Sequence, residues 1–247
     1  MTIRRARLGL ILAITGLVSG AAARGETGSD LKALKLMAQL RAASGGASLD
    51  RHDAFLETGA VVRDGKAGTY EVYGDLHTLR TVSSHLFDGR ARGGGFDGSA
   101  VWRRGPDGRV MRSTDPKDVA TARSEAYFTI AAYNWPDRFP ATFKYVGVRK
   151  YLSEDFDVVE VMPQGATPAS LWLDRRTHMP RHATVTDGEQ SASIDIGDYR
   201  RVDGTLVGFK NSQVEGEHRM TQSLATFTYV PLDPARFSPP AAADRQP

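Results

Sequence analysis

The chain has 247 residues, no cysteine and a formal net charge of +3. The lack of cysteine excludes disulfide bonds, thiolate metal sites, cysteine nucleophiles and lipid attachment through an N-terminal cysteine. The positive excess equals the charge of Arg4, Arg5 and Arg7, because residues 1–23 contain no acid. Without those residues the chain has no formal excess of charge, so its composition gives no general basis for binding nucleic acid.

Residues 1–23 have the three parts of a secretory signal peptide. The basic arginines are followed by the apolar run 8–18 and by the small residues 21–23, which form a cleavage site of the A-x-A type. The apolar run is too short to span a bilayer. We expect cleavage after Ala23 and export to the periplasm, with no integral membrane segment left in the mature chain.

The first predicted element of the mature chain is an amphipathic helix over residues 30–44. Its predicted apolar stripe consists of Leu31, Leu34, Met37 and Leu40. Ser29 or Asp30 supplies the N-cap, and Gly45 with Gly46 ends the helix. A stripe at this spacing predicts that the helix covers a hydrophobic surface.

From about residue 55 the apolar residues alternate with polar ones, which is typical of β-strands. The predicted strands are 56–63, 68–74, 79–87, 99–104, 110–113, 143–150, 156–162, 170–174, 181–186, 191–202, 206–215 and 218–230. Asp-Gly pairs occur at 64–65, 88–89, 97–98, 107–108, 187–188 and 203–204. Because Asp-Gly favours the positive φ of two-residue hairpin turns, the pattern predicts an antiparallel meander. The glycine-rich residues 90–98 are interpreted as a flexible loop.

A second helix is predicted over residues 116–134. Asp115 is its N-cap, Pro116 its first residue, and Trp135 with Pro136 ends it. The proline-rich residues 238–247 are predicted to form a disordered tail. Residues 24–237 are then one domain, since no composition shift or internal repeat divides them.

Catalytic and metal-binding motifs are scarce, and we expect neither a metal nor another cofactor. Glu57-Thr58-Gly59-Ala60 is similar to the Asp-Thr-Gly signature of aspartic proteases, but it has Glu in place of Asp and occurs once. We interpret it as the start of a strand followed by a glycine. The hydrolase that remains possible would use His77, His85, Asp97 and Glu160, and it requires at least two of them to meet in a cleft.

Several predicted strands carry large residues on both faces, including 156–162, 171–173 and 224–230. A half-exposed sheet would alternate more cleanly, so one face either lines a cavity or is covered in a two-layer core. The candidate ligand-binding residues, predicted to line such a cavity, are Trp102, Leu171, Trp172, Ile194, Ile196, Tyr199, Phe227 and Tyr229.

Residues 156–163, 169–182 and 193–204 together resemble the outer-membrane lipoprotein carrier (LolA-like) superfamily. The likeness lies in a strand that ends in Leu-Asp, a threonine-containing turn, a strand that begins near a proline and a basic residue, and a later strand with Asp-Tyr and Asp-Gly. The resemblance implies an incomplete, strongly curved antiparallel barrel with an apolar cavity suited to acyl chains. Residues 94–108 also resemble the non-catalytic amino-terminal region of some bacterial proteins that carry a retropepsin-like domain.

These observations predict a mainly β (α+β) protein with one large curved antiparallel sheet, or incomplete β-barrel, and two helices on its concave side. The predicted function is a periplasmic, non-enzymatic carrier for a lipid or lipid-modified hydrophobic ligand. Its expected partners are a hydrophobic small molecule, a lipid or an acylated protein, together with an envelope protein. The alternatives are a protein-interaction module with a filled barrel and the hydrolase above. A cavity separates the carrier from the filled module.

Overall fold

The computed structural model describes residues 28–187 and 190–239, and these form one 13-stranded antiparallel sheet with two α-helices. The strands are β1 Ala54–Arg63, β2 Lys66–Asp75, β3 Thr81–Phe87, β4 Arg90–Phe96, β5 Val101–Arg104, β6 Val110–Ser113, β7 Ala141–Tyr151, β8 Glu154–Pro163, β9 Ala169–Asp174, β10 Pro180–Asp187, β11 Gln190–Val202, β12 Thr205–Glu215 and β13 His218–Val230. The helices are α1 Leu31–Ser44 and α2 Pro116–Thr129, and the 3₁₀ turns are Gly46–Arg51, Ala132–Asn134 and Pro234–Phe237.

The order of strands across the sheet is β6-β5-β4-β3-β2-β1-β13-β12-β11-β10-β9-β8-β7. Every neighbouring pair except β1 with β13 is also consecutive in sequence. Helix α2 follows β6 and precedes β7, so the chain passes from one edge of the sheet to the other through this helix. The predicted fold class, a large curved antiparallel sheet or incomplete barrel, is confirmed.

The Asp-Gly pairs at 64–65, 88–89 and 203–204 form tight turns between consecutive strands. Asp64 and Gly65 have φ values of 49° and 79°, and Asp203 and Gly204 have 45° and 87°. Positive φ at both central residues is the geometry that matches the twist of a two-residue hairpin. The hairpin prediction is therefore confirmed at these turns, whereas Gly188 lies outside the described residues.

Residues 90–96 form strand β4, so the prediction of a flexible loop was wrong. The glycines are required by close packing within the sheet. A Cβ atom at Gly93 would lie 2.6 Å from the Ser83 carbonyl oxygen, and one at Gly95 would lie 2.9 Å from the Thr81 carbonyl oxygen. Three consecutive glycines resemble a loop in sequence, but here they allow neighbouring strands to approach closely.

Helix α1 packs on the sheet through a face rotated from the predicted stripe. Asp30 is the N-cap, and its Oδ1 accepts a 2.6 Å hydrogen bond from the Ala33 amide. The other carboxylate oxygen accepts one from the Tyr145 amide, also at 2.6 Å, and this bond ties the helix to β7. Leu31 and Leu34 are 86% and 41% exposed. The buried residues of the helix are Ala33, Leu36, Met37, Leu40 and Ser44.

Helix α2 begins where the sequence predicts, because the Asp115 side chain accepts a hydrogen bond from the Lys117 amide and Pro116 is the first helical residue. It ends at Thr129, earlier than predicted. Ala131 has φ of 53°, and the short 3₁₀ turn Ala132–Asn134 follows it. A left-handed residue cannot continue an α-helix, so the chain changes direction before β7.

The main hydrophobic core lies between the sheet and the helices and includes Leu40, Phe143 and Tyr127. A smaller cluster joins Ala54, Tyr73 and Phe237, so the 3₁₀ turn Pro234–Phe237 covers the other side of the sheet. Among the described residues, no helix has both the length and the apolar character needed to cross a bilayer. The predicted signal peptide and residues 240–247 of the predicted tail lie outside the described residues.

Candidate ligand cavity

A cavity of about 260 Å³ lies between the helical layer and the inner face of the sheet, the face on which the helices pack. Its walls come from β1, from strands β9 to β13 and from the end of α2. Its volume exceeds that of an apolar cavity of about 150 Å³ that binds benzene. It lies just below the range of about 300–1,000 Å³ typical of small-molecule sites. The space therefore suits one short alkyl chain or a small ring system.

Most of the predicted ligand-binding residues line this cavity. They are Leu171, Ile194, Ile196, Tyr199, Phe227 and Tyr229. Ile194 and Ile196 share a face because side chains alternate along β11. Tyr199 joins them because Asp198, with φ of 52°, interrupts the alternation. Whether these residues contact a ligand remains a prediction.

Trp102 and Trp172 do not line the cavity. Trp172 lies between the inward-facing Leu171 and Leu173, so its ring points to the outer face of the sheet. It packs there edge-on against His182, with ring centroids 5.3 Å apart. The indole Nε1 of Trp102 donates a 2.8 Å hydrogen bond to the Phe237 carbonyl oxygen. Strand alternation thus places the Trp172 ring on the outer face, and the hydrogen bond to Phe237 places the Trp102 ring beside the 3₁₀ turn Pro234–Phe237.

Aromatic rings form one wall of the cavity. Phe55 stacks on Phe227 with centroids 5.2 Å apart, and Phe227 meets Tyr229 edge-on at the same distance. His52 stacks on Tyr229 at 3.5 Å, and the Tyr229 hydroxyl is 2.6 Å from Thr205 Oγ1. Burial raises the pKa of Tyr229, so its hydroxyl group stays protonated. The wall is aromatic and largely apolar.

Hydrogen bonds fix the helical layer that closes the cavity. Arg41 in α1 donates 2.7 Å bonds to the Asn134 carbonyl oxygen and to the Asp50 carboxylate. The indole Nε1 of Trp135 donates a 2.8 Å bond to the other oxygen of Asp50. Arg138 donates to the carbonyl oxygen of Leu76, the residue that follows β2. These bonds hold the residues after α2 against both α1 and the sheet.

The carboxyl group of Glu57 lines the cavity on the aromatic wall. In β1 it faces inward, like Phe55 and Gly59, and its cross-strand neighbours are Val72 and Phe227. Desolvation raises the pKa of Glu57 from 4.5 to about 7. The described residues offer it neither a hydrogen bond nor an ion pair. Glu57 is half-buried, so the cost of leaving its carboxyl group without a partner is smaller than the several kcal/mol expected for full burial.

A second carboxyl group, that of Glu125 in α2, lines the same cavity. Glu125 is 4% exposed, and its Oε1 has no hydrogen-bond partner in the described part of the chain. Desolvation raises the pKa of Glu125 well above the ordinary value, although the positive charge of Arg103 acts in the opposite direction. The cavity wall thus contains two carboxyl groups without partners.

Neither acid is among the residues that the sequence predicts as ligand-binding. The sequence singles out Glu57 only within Glu-Thr-Gly, and it does not single out Glu125. A usable signal exists in each case, because an acid occupies an inward position of an alternating strand or an apolar helix face. Glu57 lies two residues from Phe55, and Glu125 lies three residues from Ala122 and one from Ala126.

The residues of the alternative hydrolase lie apart from the cavity and do not line it. His77 pairs with Asp53 at 2.9 Å, and Asp97 accepts bonds from Ser99 and Arg112. Desolvation lowers the pKa of the buried His85 to about 4. The described residues contain no group of three or more metal-ligating side chains.

A wider depression of about 450 Å³ lies along β11, β12 and β13, with lining residues from the outer face of the sheet. Arg181, Asp195 and Lys210 contribute to its lining, so charged groups of both signs surround it. Its groups also have partners: Asp195 accepts hydrogen bonds from Tyr151 and lies 2.7 Å from His182 Nδ1. The inner cavity, which the helices cover and whose described lining contains neither lysine nor arginine, is the better candidate for a hydrophobic ligand.

The sheet, the inner helices and the cavity between them define a class of fold, the half-barrel with a helical plug. No protein-family model and no curated protein sequence matches the chain. Solved structures do match. A LolA superfamily protein from Nitrosomonas europaea superposes with a TM-score of 0.57 at 12% identity, over 83% of this chain and 97% of that one.

Two further structures are similar to the same extent. A domain described as an outer membrane lipoprotein-sorting protein from Vibrio parahaemolyticus has a TM-score of 0.55 at 12% identity, over 83% of this chain and 96% of that one. A DUF1329 family protein from Desulfovibrio piger has a TM-score of 0.54 at 12% identity, over 83% and 97%. The chain therefore has the fold of LolA superfamily proteins, and the resemblance seen in the sequence is confirmed at the level of the fold.

Proposed function

We propose that this protein is a periplasmic carrier that holds one hydrophobic group of a lipid or lipid-modified molecule in the inner cavity. The observation that supports this most strongly is the open apolar space between the helices and the sheet, where a filled module would have side chains. Each methylene group transferred from water gains about 0.8 kcal/mol, so a short chain suffices for useful affinity.

The similarity to LolA superfamily and lipoprotein-sorting structures supports the same function. The cavity volume limits the cargo. Because about 260 Å³ accommodates one short chain, a ligand with several acyl chains would have to place the others outside or displace α2. An acylated protein that inserts a single chain fits this limit, as does a small hydrophobic molecule. We also propose that residues 1–23 direct export and are then removed.

Native mass spectrometry of protein recovered from an envelope fraction tests the carrier function. We expect adducts that disappear after organic extraction, and lipids or other hydrophobic molecules in the extract. A clean apo mass under gentle conditions, with an extract no richer than that of an unrelated periplasmic protein, would overturn the proposal. The intact mass of the same sample reports whether cleavage occurs after Ala23.

A further inference from the structure

The described residues of the cavity wall include acidic side chains but no basic ones, and this difference favours cationic over anionic amphiphiles. Glu57 and Glu125 are both in the wall, whereas lysine, arginine and histidine are absent from the described residues that line it. An anionic head group placed there would lie beside carboxyl groups and would have no lysine, arginine or histidine among the described lining residues to pair with. A cationic head group would find acceptors that the protein leaves unused.

The carboxyl groups lack partners for a structural reason. Glu57 is surrounded by Phe55, Phe227 and Val72, none of which carries a side-chain donor. The nearest candidate, Tyr70, lies with its ring against Gly59, and its hydroxyl has no hydrogen-bond partner among the described residues. The negative charge of Glu57 adds to desolvation in raising the pKa of Tyr70. The protein therefore brings an acceptor close to the cavity without supplying a donor for it.

Glu125 gives an independent indication of the same kind. It is almost fully buried, comes from a different element and lines the same space. Buried polar groups in folded proteins nearly always have partners, and an exception calls for an explanation such as a binding role. Glu125 is such an exception, and it shares the cavity wall with the half-buried Glu57, which also lacks a partner among the described residues. Two carboxyl groups without donors in one cavity point to one kind of ligand.

We propose that the cavity binds an amphiphile with a primary amine, whose ammonium group donates a hydrogen bond to the Glu57 carboxyl group while its apolar part fills the space beside Leu171, Val185 and Phe227. This inference rests on the proposed carrier function and names the class of ligand. An ammonium group has three donors and no acceptor, so it complements a carboxyl oxygen that has no donor of its own. Its charge also compensates the carboxylate charge that the cavity wall otherwise leaves unpaired.

Three probes of equal chain length test the proposal: decylamine, decanol and decanoate, each titrated into the full mature protein at pH 7.5 by calorimetry. Decylamine is cationic and decanoate anionic at this pH. We expect decylamine to bind at least tenfold more tightly than decanol, and decanoate to bind most weakly. Equal affinity for the three probes, or tighter binding of decanoate, would overturn the proposal and leave the carrier function standing. Failure of all three to bind would count against the carrier function itself.

The variant Glu57→Gln keeps the size of the side chain and removes its charge. We expect it to lower decylamine affinity at least tenfold and to change decanol affinity less than threefold. Glu160→Gln is the matched control, because Glu160 lies on β8 outside the cavity lining and the variant loses the same charge. Equal losses of decylamine affinity in both variants would mean that the protein attracts amines through its overall charge, which would overturn the proposal.

Discussion

Asp75 at the end of β2 and Glu57 in the middle of β1 lie on neighbouring strands, but only Asp75 has partners. Asp75 is 0% exposed, and its carboxylate accepts bonds from the His77 amide, the Thr78 hydroxyl and the Arg80 guanidinium at 2.6–3.0 Å. Burial alone would raise the pKa of Asp75, but these bonds and the charge of Arg80 outweigh it and lower the pKa. The fold thus supplies hydrogen-bond partners for the carboxylate of Asp75 but none, among the described residues, for the carboxyl groups that line the cavity.

This contrast indicates what each acid does. A carboxylate that serves the fold is held by groups close in sequence, as Thr78 and Arg80 hold Asp75. Glu57 and Glu125 have no such local donors, so their cost to stability is not fully offset within the described structure. A ligand that supplies donors would offset this cost, which is the physical basis of the amine proposal.

The largest expected effect comes from removing the satisfied acid. Asp75→Ala leaves Arg80 and the loop amides without their acceptor, and we expect it to lower the free energy of unfolding by about 4 kcal/mol. Urea denaturation followed by circular dichroism measures this change. A loss below about 1 kcal/mol would mean that the Asp75 network contributes little, and the contrast with Glu57 would lose its basis.

The next effect is a pH dependence of the free energy of unfolding at Glu57, opposite in sign to the one expected at Asp75. Its pKa is raised from 4.5 to about 7 in the folded state, so the folded protein binds more protons than the unfolded chain between these values. Wild-type stability should fall relative to Glu57→Gln as pH rises through this window, by up to about 3 kcal/mol. Urea denaturation of both proteins at pH 5 and pH 8 measures the difference. A constant difference would contradict the account of Glu57.

Asp75 supplies the opposite trend for the same experiment. Because its folded pKa is lowered, its contribution is present above the unfolded value of 3.8 and is lost as pH falls through the folded value. Asp75→Asn should therefore approach wild-type stability only in strong acid. Parallel pH profiles for the Asp75 and Glu57 variants would show that the two acids do not differ as described.

A cavity-filling variant gives a smaller effect on binding. Ala183 lines the cavity from β10, and we expect Ala183→Leu to weaken decanol binding about tenfold, or about 1.4 kcal/mol, by occupying the space. Ala60→Leu is the control, since Ala60 lies on the same sheet but is exposed and outside the cavity lining. Calorimetry measures both. Similar affinities for the two variants would place the ligand elsewhere.

The smallest effect concerns the outer face. Trp172→Phe should lower the free energy of unfolding by about 1 kcal/mol, because the ring packs with Tyr151, Phe156 and His182. Decanol affinity should stay within twofold of wild type, since the side chain points away from the cavity. A large loss of affinity would restore the sequence prediction that Trp172 contacts the ligand.

The hairpins were predictable because Asp-Gly pairs impose a backbone geometry that does not depend on distant residues. Strand β4 was not, since the need for glycine at residues 93–95 comes from neighbouring strands. The buried face of α1 was misjudged for a similar reason: Leu31 fits a helical stripe, but the sheet selects the face that contains Ala33.

The cavity residues were predictable only in part. Phe227 and Tyr229 follow from alternation along one strand, whereas Leu171 and Trp172 were both proposed although adjacent strand residues face opposite sides. The two acids could not be predicted as site residues because their role depends on residues from other elements. The sequence alone does not show that Glu57 lacks a hydrogen-bond donor; the packing of Phe55, Tyr70 and Phe227 around it does.

The most direct test of the central claim, that the inner cavity holds a hydrophobic ligand, is a crystal structure with 12-bromododecanol. The neutral head group keeps this test separate from the amine proposal, and anomalous scattering locates the bromine. The account predicts a bromine peak between α2 and the inner face of the sheet, in contact with Leu171 or Phe227. Bromine found only on the outer face, with the inner cavity closed by side chains, would contradict it.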